Sequence, residues 1–227
     1  MKYYYDLHIH SNLSPCGHKD MTPNNIVNMA YIKKLDVISV TDHNSCCNYP
    51  AVERVAKTRN IKVIPGIEVN TKEEVHLLCY FKNYKNCKSF SRKIYKKLPK
   101  IKNKEEIFGE QIIYDENDFV LGKEEMLLTN ASNISINEVI ILVKEHEGIV
   151  IPSHVERKAN GIIGVLGFIP EENNFNYIEV TDKISDEMLK KLKNKYKIIR
   201  NSDAHNLVEI SERTNYLELE DIEDLFL

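Results

Sequence analysis

The 227-residue sequence lacks several features that would point to particular classes of protein. It has no Gly/Ser tract, no Pro-rich run and no internal repeat, so nothing in it is typical of a linker between domains. No signal peptide is visible, and no apolar run approaches the roughly 20 residues that a membrane-spanning helix needs. The five cysteines form no CxxC pair, which predicts reduced thiols in a cytoplasmic protein. The formal net charge of −3 provides no general attraction to nucleic acid or to an anionic membrane.

What remains is typical of a soluble globular protein, with 42% hydrophobic and 29% charged residues. We therefore expect a single domain over residues 1–227, with an excursion at about 82–135 where the composition changes. Residues 82–104 contain ten Lys or Arg and no acidic residue. Four of these cations are predicted to share one side of a helix: Lys88, Arg92, Lys96 and Lys100. Both a solvated helix face and a patch that guides an anionic substrate fit this pattern.

Strand-like and helix-like segments alternate six or seven times, which predicts an α/β fold built from parallel βαβ units. Thr22 and Pro23 are expected to begin one helix, and the capping box Ser135-Ile136-Asn137-Glu138 another. The acidic residues 218–224 predict a solvated terminal helix. Polar residues follow the carboxyl ends of many strands, and active sites of α/β barrels gather on that face. This favours a distorted barrel over an open sheet, which would recruit fewer strands to its site.

The first strand contains the sequence Asp6-Leu7-His8-Ile9-His10. His8 and His10 are two residues apart, so on a strand they point to the same side and can hold one metal ion. Other His, Asp or Glu residues lie in, or just after, apolar runs elsewhere in the chain. They are His43, Glu68, His76, His154, Asp203 and His205, with His18 and Asp20 in the loop after the first strand.

Most single histidines have only structural roles, and His146, near a predicted helix end, is left out for that reason. However, seven of the eight histidines fall near strand ends or in the first loop. Zinc, manganese and iron accept such mixed imidazole and carboxylate ligands. About nine candidate ligands are too many for one ion, which indicates two or three ions. A role for Cys46 or Cys47 in metal binding is less favoured than that of a small turn residue.

These motifs, in this order, resemble the PHP family, named for its polymerase and histidinol phosphatase domains. The matching residues are His8-Ile9-His10, Thr41-Asp42-His43, Pro65-Gly66-Ile67-Glu68-Val69, His76, Ser153-His154 and Ser202-Asp203-Ala204-His205. The resemblance spans residues 6–205. It implies a distorted (β/α)7 barrel with a trinuclear metal site at the carboxyl-terminal mouth.

Carried over residue by residue, the resemblance implies three sets of metal ligands. The first metal would bind His8, His10, Glu68 and Asp203. The second would share Glu68 and add His76 and His154. The third would bind His43, His205 and one residue of the first loop, for which His18 and Asp20 compete, with His18 preferred on family position.

The resemblance also implies hydrolysis of a phosphate ester, with a metal-bound hydroxide that attacks phosphorus. Asp42 is a candidate to orient a histidine or the water, and capping of the turn after its strand is an equal alternative. Arg157, three residues after His154, is a candidate to bind a phosphate oxygen, and Lys158 is a weaker one. Both lie in a polar loop, so a solvated surface role fits equally well.

Three functions remain open from the sequence. A phosphoesterase acting on a small phosphorylated metabolite or nucleotide is favoured, because no polymerase accompanies this chain. A nuclease-like phosphodiesterase would use the same metals on nucleic acid. A non-catalytic metal-binding or interaction module is the third, although the nearly complete set of ligands argues against it.

Overall fold

The computed structural model describes residues 2–218. Within these residues the chain forms eleven strands and seven α-helices. The strands are β1 (Lys2–Ile9), β2 (Val37–Val40), β3 (Lys62–Val63), β4 (Gly66–Asn70), β5 (His76–Phe81), β6 (Ile112–Tyr114), β7 (Val120–Lys123), β8 (Gly148–Pro152), β9 (Tyr177–Glu179), β10 (Lys197–Ile199) and β11 (Tyr216–Glu218). The helices are α1 (Pro23–Ile32), α2 (Tyr49–Lys57), α3 (Tyr84–Tyr95), α4 (Glu105–Phe108), α5 (Ile136–Glu145), α6 (Ile162–Leu166) and α7 (Asp186–Lys193). The predicted terminal helix at 218–224 lies outside the described residues, apart from Glu218 in β11.

Two helix starts that the sequence predicts are confirmed by their capping contacts. The Thr22 side chain accepts a hydrogen bond from the Asn25 amide, and Pro23 occupies the first turn of α1. At α5, Ser135 and Glu138 form the reciprocal capping box. Helices α1 and α5 therefore begin at fixed points, directly after the loops that lead towards the site.

The strands are not all parallel, which corrects the expectation of purely parallel βαβ units. Strands β1, β2 and β3 are parallel, as are β9 and β10. Strand β5, however, runs antiparallel to both β4 and β8. The connection between β4 and β5 is too short for the crossover that a parallel pair requires. The start of β5 consequently lies beside the carboxyl ends of its two neighbours.

The strands form four hydrogen-bonded sheets, with the orders β11-β1-β2-β3, β10-β9, β4-β5-β8 and β6-β7. Isolated links join three of these sheets to one another at one end. Ile9 bridges to Ala204, and His43 bridges to Glu68. The amide of Val155 donates to the Glu179 carbonyl at 2.9 Å. The mixed α/β fold is established, whereas closure of the strands into a seven-repeat barrel stays a prediction.

A core of apolar side chains from several of these sheets lies beneath this end of the strands. It contains Tyr5, Leu7, Val37, Ile64, Leu78, Tyr80, Ile151, Tyr177, Ile199 and Leu217. The hydroxyl of Tyr80 donates to the Leu7 carbonyl at 2.7 Å, so the polar group of this buried side chain has a hydrogen-bond partner inside the core. The strand ends above it therefore rest on a packed, rigid base.

The 82–135 segment, which contains α3, α4, β6 and β7, packs against loops that follow the site strands. Asparagine side chains make many of these contacts: Asn44 donates to the Leu128 carbonyl at 2.7 Å, and Asn70 donates to the Thr129 carbonyl at 3.1 Å. The predicted basic helix face is wrong in part. Helix α3 ends at Tyr95, so Lys96 is its C-cap and Lys100 lies beyond it, which leaves only Lys88 and Arg92 on the helix.

Candidate metal centre

All predicted metal ligands except His18 come together at one end of the strands. They are His8 and His10 on β1, His43 after β2, Glu68 on β4, His76 at the start of β5, His154 after β8, and Asp203 and His205 after β10. The position of His76 follows from the antiparallel pairing, which sets it beside Asn70 at the end of β4. The start of one strand and the ends of the others therefore supply a single site.

Glu68 lies at the centre of this cluster and is 1% exposed. Its Oε1 atom is 3.0 Å from His76 Nδ1, 3.2 Å from His8 Nε2 and 3.4 Å from His154 Nε2. Its Oε2 atom is 3.1 Å from His43 Nδ1 and 3.4 Å from His10 Nε2. One carboxylate thus faces five imidazoles, which is the arrangement expected of a ligand that bridges metal ions.

His8, His10 and Asp203 form a tighter group beside Glu68. Asp203 Oδ1 is 3.1 Å from His8 Nε2 and 3.2 Å from His10 Nε2, and the two nitrogens are 3.2 Å apart. Ligand atoms about 2.0–2.1 Å from a tetrahedral zinc ion are separated by about 3.4 Å. The observed spacings therefore match a donor set that surrounds a common ion.

A buried ring nitrogen supports the same conclusion. His43 Nδ1 is shielded from solvent and lies 3.1 Å from Glu68 Oε2, but it forms no hydrogen bond of good geometry. Buried polar atoms are normally satisfied, so such atoms among imidazoles and carboxylates are candidates for metal coordination. The residues present fit a multinuclear metal site.

The backbone is unusual at two of the ligands. His154 has φ +31° and Asp203 has φ +52°, although neither residue is glycine. Residues other than glycine reach this region at a cost of about 1–3 kcal/mol, and such residues cluster at functional sites. In this conformation His154 Nε2 lies 3.4 Å from Glu68 Oε1, and Asp203 Oδ1 lies beside His8 and His10.

The loop after β1 places Cys16, rather than His18, beside the other candidate ligands. The His18 side chain is 49% exposed, and its Nδ1 lies 3.4 Å from Asp20 Oδ2, apart from the cluster. Its backbone amide instead donates to the His205 carbonyl at 2.8 Å. Cys16 lies with His10, His43 and His205, and their ligand atoms are all within 4.8 Å of one another. The arrangement does not support the predicted ligand role of His18 or Asp20.

Glu179 contacts two candidate ligands, His8 and His154, and the sequence reasoning missed it. Both of its oxygens lie 3.1 Å from His8 Nδ1, and it also accepts from Asn201 Nδ2 at 2.7 Å and from the His154 amide at 3.0 Å. A carboxylate in this position holds the imidazole with its other nitrogen free for a metal. The signal was present, because Glu179 interrupts an apolar strand just as Glu68 does.

Asp42 acts on both the loop and a ligand. Its Oδ1 atom accepts from the Ser11 amide at 2.7 Å and from Ser14 Oγ at 2.8 Å, and Oδ2 accepts from Ser11 Oγ at 2.6 Å. Ser14 Oγ lies 3.0 Å from His10 Nδ1. Since the serine hydrogen goes to Asp42, its oxygen is free to accept from His10. These contacts support orientation of a histidine, one of the two predicted alternatives, which stays a prediction. The donors to the Asp42 carboxylate lie in the loop after β1, not in the turn after its own strand, so they do not support the capping alternative.

A sequence model of the PHP domain family matches residues 6–199 of this chain. The chain belongs to the PHP domain family. Its relatives include a 5′-3′ exoribonuclease of Haemophilus influenzae, which is 33% identical over 70 residues. That match covers 31% of this PHP chain and 24% of the exoribonuclease, so the chain corresponds to only part of the relative.

Solved structures share the fold of this PHP chain at low sequence identity. A Bifidobacterium adolescentis protein, whose metal-dependent phosphoesterase activity is itself inferred, has a TM-score of 0.71 and 16% identity. The alignment covers 97% of this chain and 94% of that protein. A lesion-specific endonuclease of Pyrococcus furiosus has a TM-score of 0.63 and 19% identity, over 91% of this chain and 49% of the endonuclease.

The electrostatics of the PHP centre follow from its buried charges. Burial alone would raise the pKa of Glu68, but His76 and His8 hold it well below its usual value. Burial lowers the pKa of His8, yet Glu179, Asp203 and Glu68 raise it well above its usual value. Cys16 is exposed on one side, and the protein packed around its thiol would raise the pKa, but the charge of His43 and hydrogen bonds to His205 and His43 lower it to about 5. In the absence of metal, these shifts favour an ionised Glu68 and a Cys16 thiolate beside the protonated imidazoles of His8, His10 and His43. Burial instead lowers the pKa of His76, which favours its neutral form.

Arg157 lies at the edge of the PHP centre. Its Nη1 atom is 2.5 Å from Asp203 Oδ2, and its side chain is 45% exposed. It borders a groove of about 1240 Å³ that is also lined by Asp203 and His205. Lys158 lines the same groove. Both candidate substrate residues are therefore next to the ligand cluster, and their contact with substrate stays a prediction.

No helix among the described residues is long and apolar enough to cross a membrane.

Proposed function

We propose that this PHP domain hydrolyses phosphate esters with two or three divalent metal ions, and that its substrate is a small phosphorylated metabolite or nucleotide. The observation that supports the proposal best is Glu68, one buried carboxylate within 3.4 Å of imidazoles from five different positions. Zinc, manganese and iron accept this mixture of ligands.

The donor groups divide into three sets. His8, His10, Glu68 and Asp203 would hold one ion. Glu68, His76 and His154 would hold a second, and His43 and His205 would contribute to a third. When bound, such ions neutralise a phosphate and lower the pKa of a coordinated water.

The residues around the ligands would set their orientation and protonation. The Nδ1–H group of His8 would donate to Glu179, and the Nδ1–H group of His10 would donate to Ser14 Oγ. The Nε2 atom of each ring would then be available as a metal ligand. Arg157 would exchange its contact with Asp203 for a substrate oxygen, because a guanidinium binds phosphate as readily as carboxylate. Its partial exposure allows that movement.

The groove beside the centre favours a small substrate over a nucleic-acid strand. Its basic side chains alternate with acidic ones, and the charged lining residues are Lys33, Glu156, Arg157, Lys158, Glu179, Asp182, Lys183, Arg200, Asp203, Glu209 and Glu212. A polyanion would meet repulsion as well as attraction along such a surface, whereas strand-binding channels are predominantly positive.

Cleavage of nucleic acid is the second candidate function. It is favoured by the match to the exoribonuclease and by the structural similarity to the lesion-specific endonuclease. The same metal ligands would serve either reaction, since phosphomonoesters and phosphodiesters react at the same kind of phosphorus centre.

We also infer that residues 1–227 form one domain, with the 82–135 segment as an excursion, and that β1, β2, β4, β5, β8, β9 and β10 close into a distorted barrel. The links between Ile9 and Ala204, His43 and Glu68, and Val155 and Glu179 support closure. A cytoplasmic location fits the sequence and stays a proposal.

The test combines elemental analysis of protein purified without chelator with assays on p-nitrophenyl phosphate, its bis ester and a 5′-phosphorylated oligonucleotide. Two or three transition-metal ions per chain and turnover that chelation abolishes are expected, with the monoester preferred. Preference for the oligonucleotide would favour the nuclease. Absence of turnover after reloading with manganese, zinc or iron would leave a metal-binding module. Asp203→Asn provides a variant with impaired metal binding for comparison.

A further inference from the structure

The loop between β1 and α1 is held in one conformation by its own backbone. The Ser14 amide donates to the Ser11 carbonyl at 3.1 Å, and the Gly17 amide donates to the Ser14 carbonyl at 2.8 Å. A side chain at Gly17 would lie 2.4 Å from the Ser11 carbonyl oxygen, so only glycine fits this close approach. The residue before it, Cys16, is therefore fixed in position by its neighbours.

The same loop is attached to the far side of the site. The His18 amide donates to the His205 carbonyl at 2.8 Å, which anchors the loop beside a predicted ligand. With that amide turned inward, the His18 side chain lies in solvent with Asp20. The loop thus presents Cys16, two residues earlier, to the rings of His43 and His205.

We propose that Cys16 Sγ, with His43 and His205, binds the third metal ion and is the loop ligand for which the sequence alone favoured His18. Four donor atoms, those of His10, Cys16, His43 and His205, lie within 4.8 Å of one another. His10 Nε2 is already 3.2 Å from Asp203 Oδ1, so it belongs to the first group. The remaining three donors match the number that a zinc site with an open position uses.

Two further observations point to a cation among these residues. His43 is only 6% exposed, and its Nδ1 has no hydrogen bond of good geometry despite its closeness to Glu68. Cys16, in contrast, is exposed, so one side of the group opens towards solvent. Such an opening leaves room for water or substrate opposite the protein ligands.

A sulfur ligand has consequences for the identity of the ion. Thiolates favour zinc, iron or cobalt over manganese and magnesium, whereas the other two donor sets contain only imidazole and carboxylate. We expect the third position to be occupied by zinc even where manganese fills the other positions. The proposal depends on the metal-binding part of the proposed function but not on phosphate-ester hydrolysis.

Cobalt substitution tests the proposal without an activity assay. Metal-free protein reloaded with Co²⁺ should have a near-ultraviolet sulfur-to-cobalt charge-transfer band. Cys16→Ser should lose this band and about one bound ion per chain, whereas Cys47→Ser, which alters another exposed cysteine, and His18→Ala should keep both. Cys16→Asp should recover the ion without the band, because a carboxylate can replace the thiolate as a ligand. A band that persists in Cys16→Ser, or a third ion lost in His18→Ala, would overturn the assignment.

Alkylation of the unmodified protein provides a second measurement. Zinc should protect Cys16 from iodoacetamide but leave Cys47 reactive, as judged by peptide mass spectrometry. Equal modification of Cys16 with and without zinc, in protein that has bound three ions, would refute the proposal while leaving the multinuclear site intact. Conversely, protection of Cys16 in protein without hydrolytic activity would support the ligand and contradict the proposed reaction.

Discussion

The metal centre and the 82–135 segment both concentrate charged side chains, but they hold them in opposite environments. In the centre, Glu68 and four of its five imidazole partners are buried, and the fifth, His76, has a side chain that is only 13% exposed. In the segment, Lys123 pairs with Glu105 and Glu110 at 2.8 Å, with every partner at least 44% exposed. Exposed pairs contribute little stability, whereas buried charges are retained only with close partners or metals. Burial, more than the number of charges, therefore distinguishes the site from the surface.

The largest expected effect comes from the centre of the buried cluster. Glu68→Gln removes the charge that would bridge the ions, so we expect loss of at least one ion and a fall in turnover of about 10³-fold. Metal analysis and steady-state kinetics measure both. The control, Glu124→Gln in the segment, should remain within about twofold of the unmodified protein. Full metal content in Glu68→Gln would show that the buried charge of Glu68 is not needed to hold the ions. The contrast between the buried centre and the exposed 82–135 segment would then have no functional meaning.

A smaller effect is expected where a buried carboxylate acts through a ligand. Glu179→Gln should weaken metal binding about 10–100-fold, because His8 loses the acceptor that fixes its orientation. Competition with a chromophoric chelator gives the affinity. The control is Glu156→Gln, whose carboxylate accepts from the Thr181 amide at 2.8 Å and touches no predicted ligand. Equal affinities in the two variants would make Glu179 a structural residue only.

At the border between buried and exposed charge, Arg157→Ala should raise KM about tenfold and leave metal content unchanged. The reason is the loss of one charge-assisted hydrogen bond to substrate, about 1.5 kcal/mol. Lys158→Ala should change KM less. Unchanged kinetics in Arg157→Ala would exclude Arg157 from the substrate site, and loss of metal would instead assign it to the support of Asp203.

The smallest effect is expected in the segment itself. Lys88→Ala combined with Arg92→Ala should change kcat and KM by less than about twofold, since both residues lie on a solvated part of α3. The opposite outcome would be an unmodified protein that binds oligonucleotides in a salt-dependent manner and a double variant that does not. That outcome would contradict the interpretation of the segment as a solvated surface. In that case the basic segment would be a nucleic-acid surface, and the nuclease candidate would gain support.

Most of the predicted ligand candidates lie together in the structure, because their spacing follows strand geometry. His8 and His10 face the same way at a spacing of two residues, and His43, His154 and Asp203 each follow an apolar strand. Parallel strands bring such ends together without further information. His76 was a candidate because it lies in an apolar run and because it matches the family motif, but its place beside the ends of β4 and β8 was not expected, since it follows from the antiparallel pairing of β5.

The sequence by itself thus determined which histidines and carboxylates are candidate ligands, the strands that bear most of them and the family to which the chain belongs. Only the tertiary structure decided which loop residue faces His43 and His205, and that Glu179 supports His8. Positions on strands follow from the alternation of residues along each strand, which can be recognised in the local sequence. The positions of loop residues such as Cys16, and of residues such as Glu179 that orient a candidate ligand, depend on contacts between segments far apart in the chain. The hydrogen bond from the His18 amide to the His205 carbonyl is one such contact, and it cannot be recognised in the local sequence.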